Sequence, residues 1–167
     1  IGHPKGAKLR TRPGEPATPT PALSTRQLEE MLELAMQTDA EMYLACLLLY
    51  ITAARVSEFT GMDVGDVRRE AGSVRIGVTV KGDRPDDAYL DGPTGDLVLN
   101  LIGSRTPDAP LVPRVNGDRM TREYVARVVN RAGDLIGQHV TPHVLRTTAI
   151  NIAIEERGLH AAQQLAR

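Results

Sequence analysis

The chain has 167 residues, which is the length of one domain with its flanking segments. Its apolar content of 41% and charged content of 25% are those of an average globular protein, and they exclude a wholly disordered chain, a collagen-like repeat and a disulfide-rich scaffold. The net charge of -1 excludes a protein that is basic over its whole surface, although it is compatible with a local basic patch.

The cysteine, aromatic and apolar residues exclude further classes of protein. Cys46 is the only cysteine, so the chain cannot form an internal disulfide, and no Cys/His cluster has the spacing of a zinc site. An aromatic content of 3% disfavours an RNA-binding sheet or single-strand groove built on base stacking. The longest apolar block, residues 42–54, is too short to span a bilayer, and there is no signal-peptide pattern, so we expect a cytoplasmic protein without membrane association. Because the first residue is Ile1, we expect a fragment of a longer protein.

Residues 1–22 have the composition of an extended basic linker. They hold five of the 11 prolines and one acidic residue, against four basic residues: Lys5, Lys8, Arg10 and Arg12. The segment is interpreted either as a solvated tail or as an arm that tracks phosphates. The domain itself is predicted at residues 23–167, which carry a net charge of -4.

Two helices are predicted directly after the linker. Ser24 begins a capping box that precedes an apolar pattern at helical spacing. Residues 38–41 repeat the capping-box form, with Thr38 in the capping position, before the apolar block 42–54, which predicts a second and buried helix. We interpret Cys46 in that helix as a small buried side chain rather than a reactive thiol.

A small antiparallel sheet is predicted in the middle of the chain. Residues 61–72 are rich in turn formers, and apolar and polar residues then alternate over Ser73–Val80, which predicts a half-buried strand. Residues 81–85 favour a turn, and residues 87–90 a returning strand.

Helices are predicted again in the second half. Residues 97–102 have a helical pattern, residues 106–118 a loop composition, and Thr121 caps a further helix. Thr141 followed by Pro142 is typical of a helix start, and that helix continues to Gly158. A last helix is predicted at residues 160–167. The apolar face of the helix after Thr121 is expected to hold Val125, Val128, Val129 and Ala132.

Together, the predicted elements indicate an α+β fold class, mainly α-helical with a small antiparallel β-sheet.

Four basic side chains on separate elements are candidates for chemistry. His143 and Arg146 are three residues apart on one face near a helix start, where the helix dipole favours a phosphate, although such surface residues are more often simply solvated. Arg55 follows the buried block, where it either binds an anion or forms a structural ion pair with Glu58. Lys81 lies at the hairpin tip and either reaches a substrate or only raises solubility.

Together these side chains suit a phosphodiester. Two guanidinium groups stabilise charge on non-bridging oxygens without a metal, and a lysine protonates a leaving oxygen. The sequence has no phosphate-binding glycine loop, serine-hydrolase elbow, HExxH motif or calcium-loop spacing, which disfavours the competing chemistries.

The order of these motifs resembles the catalytic domain of the tyrosine recombinases, the phage-type integrases. The resemblance extends over residues 23–167 and rests on three motifs: TAARVSE at residues 52–58, VKG at 80–82 and TPHVLRTT at 141–148. It implies the catalytic-domain fold of the DNA breaking-rejoining enzymes, with residues 1–22 as the linker from an N-terminal core-binding domain.

The resemblance also implies a reaction. A tyrosine hydroxyl would cleave a DNA strand and form a phosphotyrosine ester, which a second DNA end then attacks. By the same resemblance, the reaction would need no metal and no nucleotide cofactor. Arg55 and Arg146 would clamp the scissile phosphate, and Lys81 would protonate the leaving 5′ oxygen. His143 would assist proton transfer or bind phosphate, and Glu58 would orient the Arg55 region.

Double-stranded DNA is the partner that the resemblance implies. The full-length protein would act as a homo-tetramer on two DNA sites, in a bacterial or phage-encoded setting close to the nucleoid. Additional DNA contacts are expected from Lys5, Lys8, Arg10, Arg12 and Arg84.

The chain differs from the family pattern in its second arginine motif and in its tyrosines. Thr147 stands where the family has a histidine. The family nucleophile would follow Arg167, so we expect this chain alone to be inactive. The four tyrosines all precede His143 and are expected to pack in the core or form structural hydrogen bonds: Tyr43, Tyr50, Tyr89 and Tyr124.

Two alternatives stay open. A non-catalytic DNA-binding or regulatory module could keep the same fold without the reaction. An unrelated helical interaction domain would instead leave the four basic residues of the motifs far apart in space.

Overall fold

The computed structural model describes residues 21–80 and 84–158, except for the side chains of residues 80 and 84–86. The predicted turn residues 81–83 and the predicted helix at 160–167 therefore lie outside the described residues. The described residues form six helices, a three-stranded antiparallel sheet and one 3₁₀ turn at Val64–Asp66. In chain order the elements are α1 (Thr25–Thr38), α2 (Ala40–Thr52), α3 (Val56–Thr60), β1 (Val67–Glu70), β2 (Ser73–Val80), β3 (Arg84–Asp91), α4 (Gly92–Ile102), α5 (Arg122–Asp134) and α6 (Pro142–Arg157). This confirms the predicted mainly helical α+β class with a small antiparallel sheet.

The core is built around α2, which packs against α1, α5 and α6. Most of the apolar block predicted to be buried is buried and the rest is half-buried, and the pKa of the Cys46 thiol is raised to about 12 because burial disfavours the thiolate. The predicted inner face of α5 is also confirmed. Its four apolar residues are at most 3% exposed: Val125, Val128, Val129 and Ala132.

The capping residues predicted for two helix starts are confirmed, and the one for a third is wrong. The Ser24 hydroxyl accepts from the Gln27 amide at 3.1 Å, and the Thr141 hydroxyl accepts from the Val144 amide at 3.2 Å, as predicted. The prediction of Thr38 as the cap of α2 is wrong, because Thr38 is the last residue of α1. The cap is Asp39, whose carboxylate accepts from the amides of residues 41 and 42.

The sheet is larger than predicted. Val74, Ile76 and Val78 of β2 are at most 4% exposed, which confirms the predicted alternation. Strand β3 pairs with β2 over its whole length, from residue 84 to residue 91, rather than over 87–90 only. Strand β1 lies in the stretch predicted as turns. It is an edge strand without a buried side chain, so its sequence carries no apolar alternation, and pairing with β2 defines it.

Two helical segments also differ from the prediction. The short helix α3 was not predicted, because five residues are too few for a helical period. Helix α4 begins at Gly92 rather than at residue 97, since Pro93 suits a first turn and Gly95 permits close approach to the sheet. A Cβ atom at Gly95 would come within 2.9 Å of Val74 Cγ2. None of the helices in the described ranges is long and apolar enough to cross a membrane.

Candidate active site

Arg55 lies at a sharp change of chain direction between α2 and α3. Helix α2 ends at Thr52, and Ala53 adopts the left-handed region with a φ of 48°. Arg55 is then extended and occupies the position directly before α3. Its side chain is 48% exposed, so the guanidinium is accessible to a ligand from solvent.

Glu58 holds Arg55 in place. Its carboxylate accepts from the Arg55 backbone amide at 2.8 Å and from Arg55 Nη1 at 3.0 Å. The Glu58 side chain is only 7% exposed, which makes these two charge-assisted hydrogen bonds well shielded from water on one side. The ion pair considered in the sequence analysis is therefore present. It leaves nearly half of the Arg55 side chain exposed, so an ion pair and an anion-binding role are compatible.

Arg146 connects the second arginine motif to the first. It lies in α6, is 8% exposed, and its Nη1 donates a hydrogen bond to the backbone carbonyl of Ala53. Ala53 is two residues before Arg55, so the guanidinium of Arg146 contacts the segment from which Arg55 projects. The preceding residue, Thr52, is fully buried and its hydroxyl donates to the Leu48 carbonyl at 2.7 Å. The two arginine motifs thus meet through the backbone of residue 53.

His143 lies in the first turn of α6, where the free backbone amides favour an anion. Its side chain is exposed, whereas Arg146 is buried. Among the described residues the imidazole of His143 makes no hydrogen bond to the protein. The structure therefore gives these two neighbours different surroundings, with Arg146 fixed against α2 and His143 free to meet a ligand.

Thr148 was not singled out by the sequence. It is fully buried, and its hydroxyl donates to the Val144 carbonyl at 2.7 Å and accepts from the Leu23 amide at 2.9 Å. Leu23 directly precedes Ser24, the residue that caps α1. The segment before α1 is therefore attached to the helix that carries His143 and Arg146.

The basic residues of the hairpin and the linker lie wholly or partly outside the described residues. Lys81 lies outside the described residues, between the paired residues Val80 and Arg84 that end β2 and begin β3. The side chain of Arg84 is not described. The four linker residues also lie outside the described residues: Lys5, Lys8, Arg10 and Arg12.

Two further arginines are bound to backbone carbonyls. Arg105 donates to four carbonyls at the end of α4 and in the following loop, the shortest being to Pro110 at 2.7 Å. Arg119 donates to the carbonyls of Thr60 at 2.9 Å and Met62 at 3.2 Å, and it pairs with Asp63. No sequence signal marks such residues, because their partners are main-chain atoms that the fold brings near.

The tyrosines have mainly structural roles. Tyr124 of α5 donates to the carboxylate of Glu41, and the Arg114 guanidinium lies 4.3 Å from its ring centroid. The hydrogen bond to Glu41 raises the pKa of Tyr124 above its ordinary value of 10.0. Tyr43 and Tyr50 are partly buried against the core, as expected. The expectation is wrong for Tyr89, which is 61% exposed on the edge strand β3.

Metal ligands are not gathered in the described ranges. Within residues 21–80 and 84–158, no group of three or more His, Cys, Asp or Glu side chains is placed to hold a metal ion.

Comparison with known proteins identifies the family. Residues 21–166, nearly the whole chain, match the phage integrase family. The chain belongs to this family. Its sequence is 29% identical over 159 residues to the tyrosine recombinase XerA of Pyrococcus furiosus, and the match covers 92% of this chain and 54% of the relative.

Solved structures of integrase-family proteins share the fold. The XerH recombinase bound to its difH substrate in a pre-cleavage complex matches with a TM-score of 0.74 at 20% identity, over 87% of this chain and 47% of that one. A lambda integrase tetramer bound to a Holliday junction matches with a TM-score of 0.67 at 17% identity, over 93% and 48%. The chain thus spans about half the length of the relatives it matches. The predicted tyrosine recombinase catalytic-domain fold is confirmed.

Proposed function

We propose that this chain contributes the phosphate-binding part of a site-specific DNA recombinase that cleaves and rejoins strands through a phosphotyrosine ester. The observation that carries the proposal is the hydrogen bond from Arg146 to the Ala53 carbonyl. It joins the two arginine motifs, which are 93 residues apart in sequence, at one place. An unrelated helical domain would have no reason to bring them together.

Arg55 and Arg146 are proposed to bind the scissile phosphate. Arg55 is half exposed and fixed by Glu58, so it is preorganised without being fully neutralised. The guanidinium of Arg146 is a planar fork of donors, and its bond to the Ala53 carbonyl fixes the direction of that fork beside the segment that carries Arg55. Donors fixed before the reaction stabilise the charge that develops on the non-bridging oxygens.

His143 and Lys81 are proposed to serve the proton transfers. The exposed imidazole of His143 is available for the phosphate or for the proton of an attacking hydroxyl. In cleavage, the tyrosine oxygen bonds to phosphorus as the bond to the 5′ oxygen breaks, and Lys81 gives that oxygen its proton. Rejoining reverses these steps, so the ester conserves the energy of the phosphodiester.

The nucleophile and the assembly are proposed from the family. We propose that residues 1–22 act as a basic linker, that residues 23–167 are a catalytic domain, and that the nucleophilic tyrosine belongs to sequence after residue 167. The partner is double-stranded DNA, contacted also by the linker cations and Arg84, and the complete protein works as a tetramer on two sites. A tetramer on a Holliday junction is one of the states in which lambda integrase was crystallised. A cytoplasmic location beside the DNA follows from this role.

The test traps the covalent intermediate. The full-length protein is incubated with DNA from the cell that encodes it, denatured with SDS, and the DNA joined to protein is recovered and sequenced. We expect adducts at one sequence, through a tyrosine that lies outside this chain, and their loss in the Arg55→Gln variant. DNA binding without any adduct would instead favour the non-catalytic module, and an adduct on Tyr43, Tyr50, Tyr89 or Tyr124 would refute the placement of the nucleophile.

A further inference from the structure

Arg119 holds the far end of the helix that begins at Arg55. The chain at residue 119 leads into α5, and its guanidinium reaches the C-terminal end of α3. Nη1 donates to the carbonyls of Thr60 at 2.9 Å and Met62 at 3.2 Å, and Nη2 pairs with the carboxylate of Asp63. Three acceptors from four consecutive residues are therefore bound by one side chain.

Helix α3 needs such support because it is short. Its five residues form little more than one turn, and a helix of that length is unstable unless tertiary contacts hold it. Phe59, 4% exposed, anchors its middle in the core. Glu58 binds Arg55 at the N-terminal end and Arg119 binds the carbonyls at the C-terminal end. The direction of Arg55 thus depends on contacts at both ends of α3.

The Arg119 side chain is 41% exposed, but its guanidinium binds the backbone of the chain itself, which among the described residues the guanidinium of Arg55 does not. The charge of Arg119 is already paired with Asp63, and at least two of its five donors are used on the backbone. Only a planar guanidinium can reach all three acceptors at once, since a lysine ammonium is a single point at the end of a flexible stem. The geometry is that of a clamp on α3.

We infer that Arg119 is a positioning residue for Arg55, acting through α3. This inference rests on the proposed role of Arg55 as a phosphate ligand. Without the clamp, the C-terminal end of α3 loosens, and Arg55 spends less time in the direction that meets a phosphate.

The test measures how DNA affinity depends on salt. Each phosphate contact contributes about 0.9 to the slope of log affinity against log salt concentration on duplex DNA. The purified chain is titrated against a labelled duplex as wild type, Arg55→Gln, Arg119→Gln, Arg119→Lys and the double variant Arg55→Gln/Arg119→Gln. Arg26→Gln, which removes an exposed charge from α1, is the matched control. Hydrogen exchange of the α3 amides is followed in the same proteins without DNA.

We expect Arg119→Lys and Arg119→Gln alike to lower the slope by up to about 0.9, and the double variant to equal Arg55→Gln. Both substitutions should accelerate exchange in α3, and Arg26→Gln should change neither readout. A wild-type slope for Arg119→Lys, or an additive loss in the double variant, would show a direct phosphate contact and overturn the inference. If Arg55→Gln itself leaves the slope unchanged, the proposed role of Arg55 fails. Unchanged exchange in Arg119→Lys would overturn the positioning role independently.

Discussion

Arg146 donates a hydrogen bond to the backbone carbonyl of Ala53, which stands in the left-handed conformation at the end of α2. A buried guanidinium on a carbonyl is costly to remove, because the carbonyl then loses its partner away from water. The same contact sets the path of the chain into Arg55. Fold stability and the arrangement of the two arginines are therefore linked through one bond.

The first prediction separates Arg146 from its helical neighbour His143. We expect Arg146→Gln to lower the free energy of unfolding by about 1.5–3 kcal/mol, the range for hydrogen bonds of charged groups. His143→Gln, at an exposed position in the same helix, should change it by less than about 0.5 kcal/mol. Urea denaturation of both variants is the measurement. Equal stabilities would mean that the bond to Ala53 does not hold the fold.

The second prediction concerns backbone strain at Ala53. A non-glycine residue in the left-handed region costs about 1–2 kcal/mol, while glycine adopts it freely. After allowance for the greater entropy of glycine in the unfolded chain, Ala53→Gly should raise the free energy of unfolding by about 0.5–1 kcal/mol. Ala54→Gly, at the adjacent buried position with negative φ, is the control and should lower it. A drop in stability for Ala53→Gly would contradict the assigned conformation.

Local signals account for much of what could be predicted from the sequence. The caps at Ser24 and Thr141 act within three residues, and the alternation of β2 reflects one buried face, so both are visible in the chain. Strand β1 and helix α3 have no such pattern in their sequences. Pairing with β2 defines β1, and hydrogen bonds of Glu58 and Arg119 at its two ends hold α3.

The candidate site likewise contains residues that the sequence predicts and residues that only the structure reveals. Arg55, His143 and Arg146 carry their chemistry in the side chain and stand in recognisable motifs. Arg119 binds the carbonyls of Thr60 and Met62, and Thr148 binds the amide of Leu23. These backbone partners are 57 or more positions away in the sequence. Such roles become apparent only when the fold brings the partners together.

The third prediction tests how the segment before α1 is attached to α6. Thr148→Val keeps the side-chain shape but leaves the Leu23 amide without its acceptor in the interior. We expect a loss of about 1–3 kcal/mol in the free energy of unfolding, and faster hydrogen exchange at the Leu23 amide. Thr148→Ser keeps the hydroxyl and should preserve the slow exchange at Leu23, even if the lost methyl lowers stability. Fast exchange in both variants would assign the effect to packing instead.

The last prediction concerns alkaline pH and Tyr124. The hydrogen bond to Glu41 favours the neutral phenol, so the pKa of Tyr124 is raised in the folded protein above its ordinary value of 10.0. The folded state then binds the proton more tightly than the unfolded state does. The stabilisation is complete below pH 10 and is lost as pH rises through the folded pKa.

Burial and the nearby Glu156 likewise raise the pKa of Tyr50, so the comparison is made in a Tyr50→Phe background. There, Tyr124→Phe should lower the free energy of unfolding at neutral pH by about 1 kcal/mol, because the bond to Glu41 is lost. It should also flatten the fall in stability above pH 10, since the phenol that releases a proton is gone. Urea denaturation on both sides of that pH measures the difference. An equally steep fall with and without Tyr124 would show that the Glu41 hydrogen bond does not control its titration.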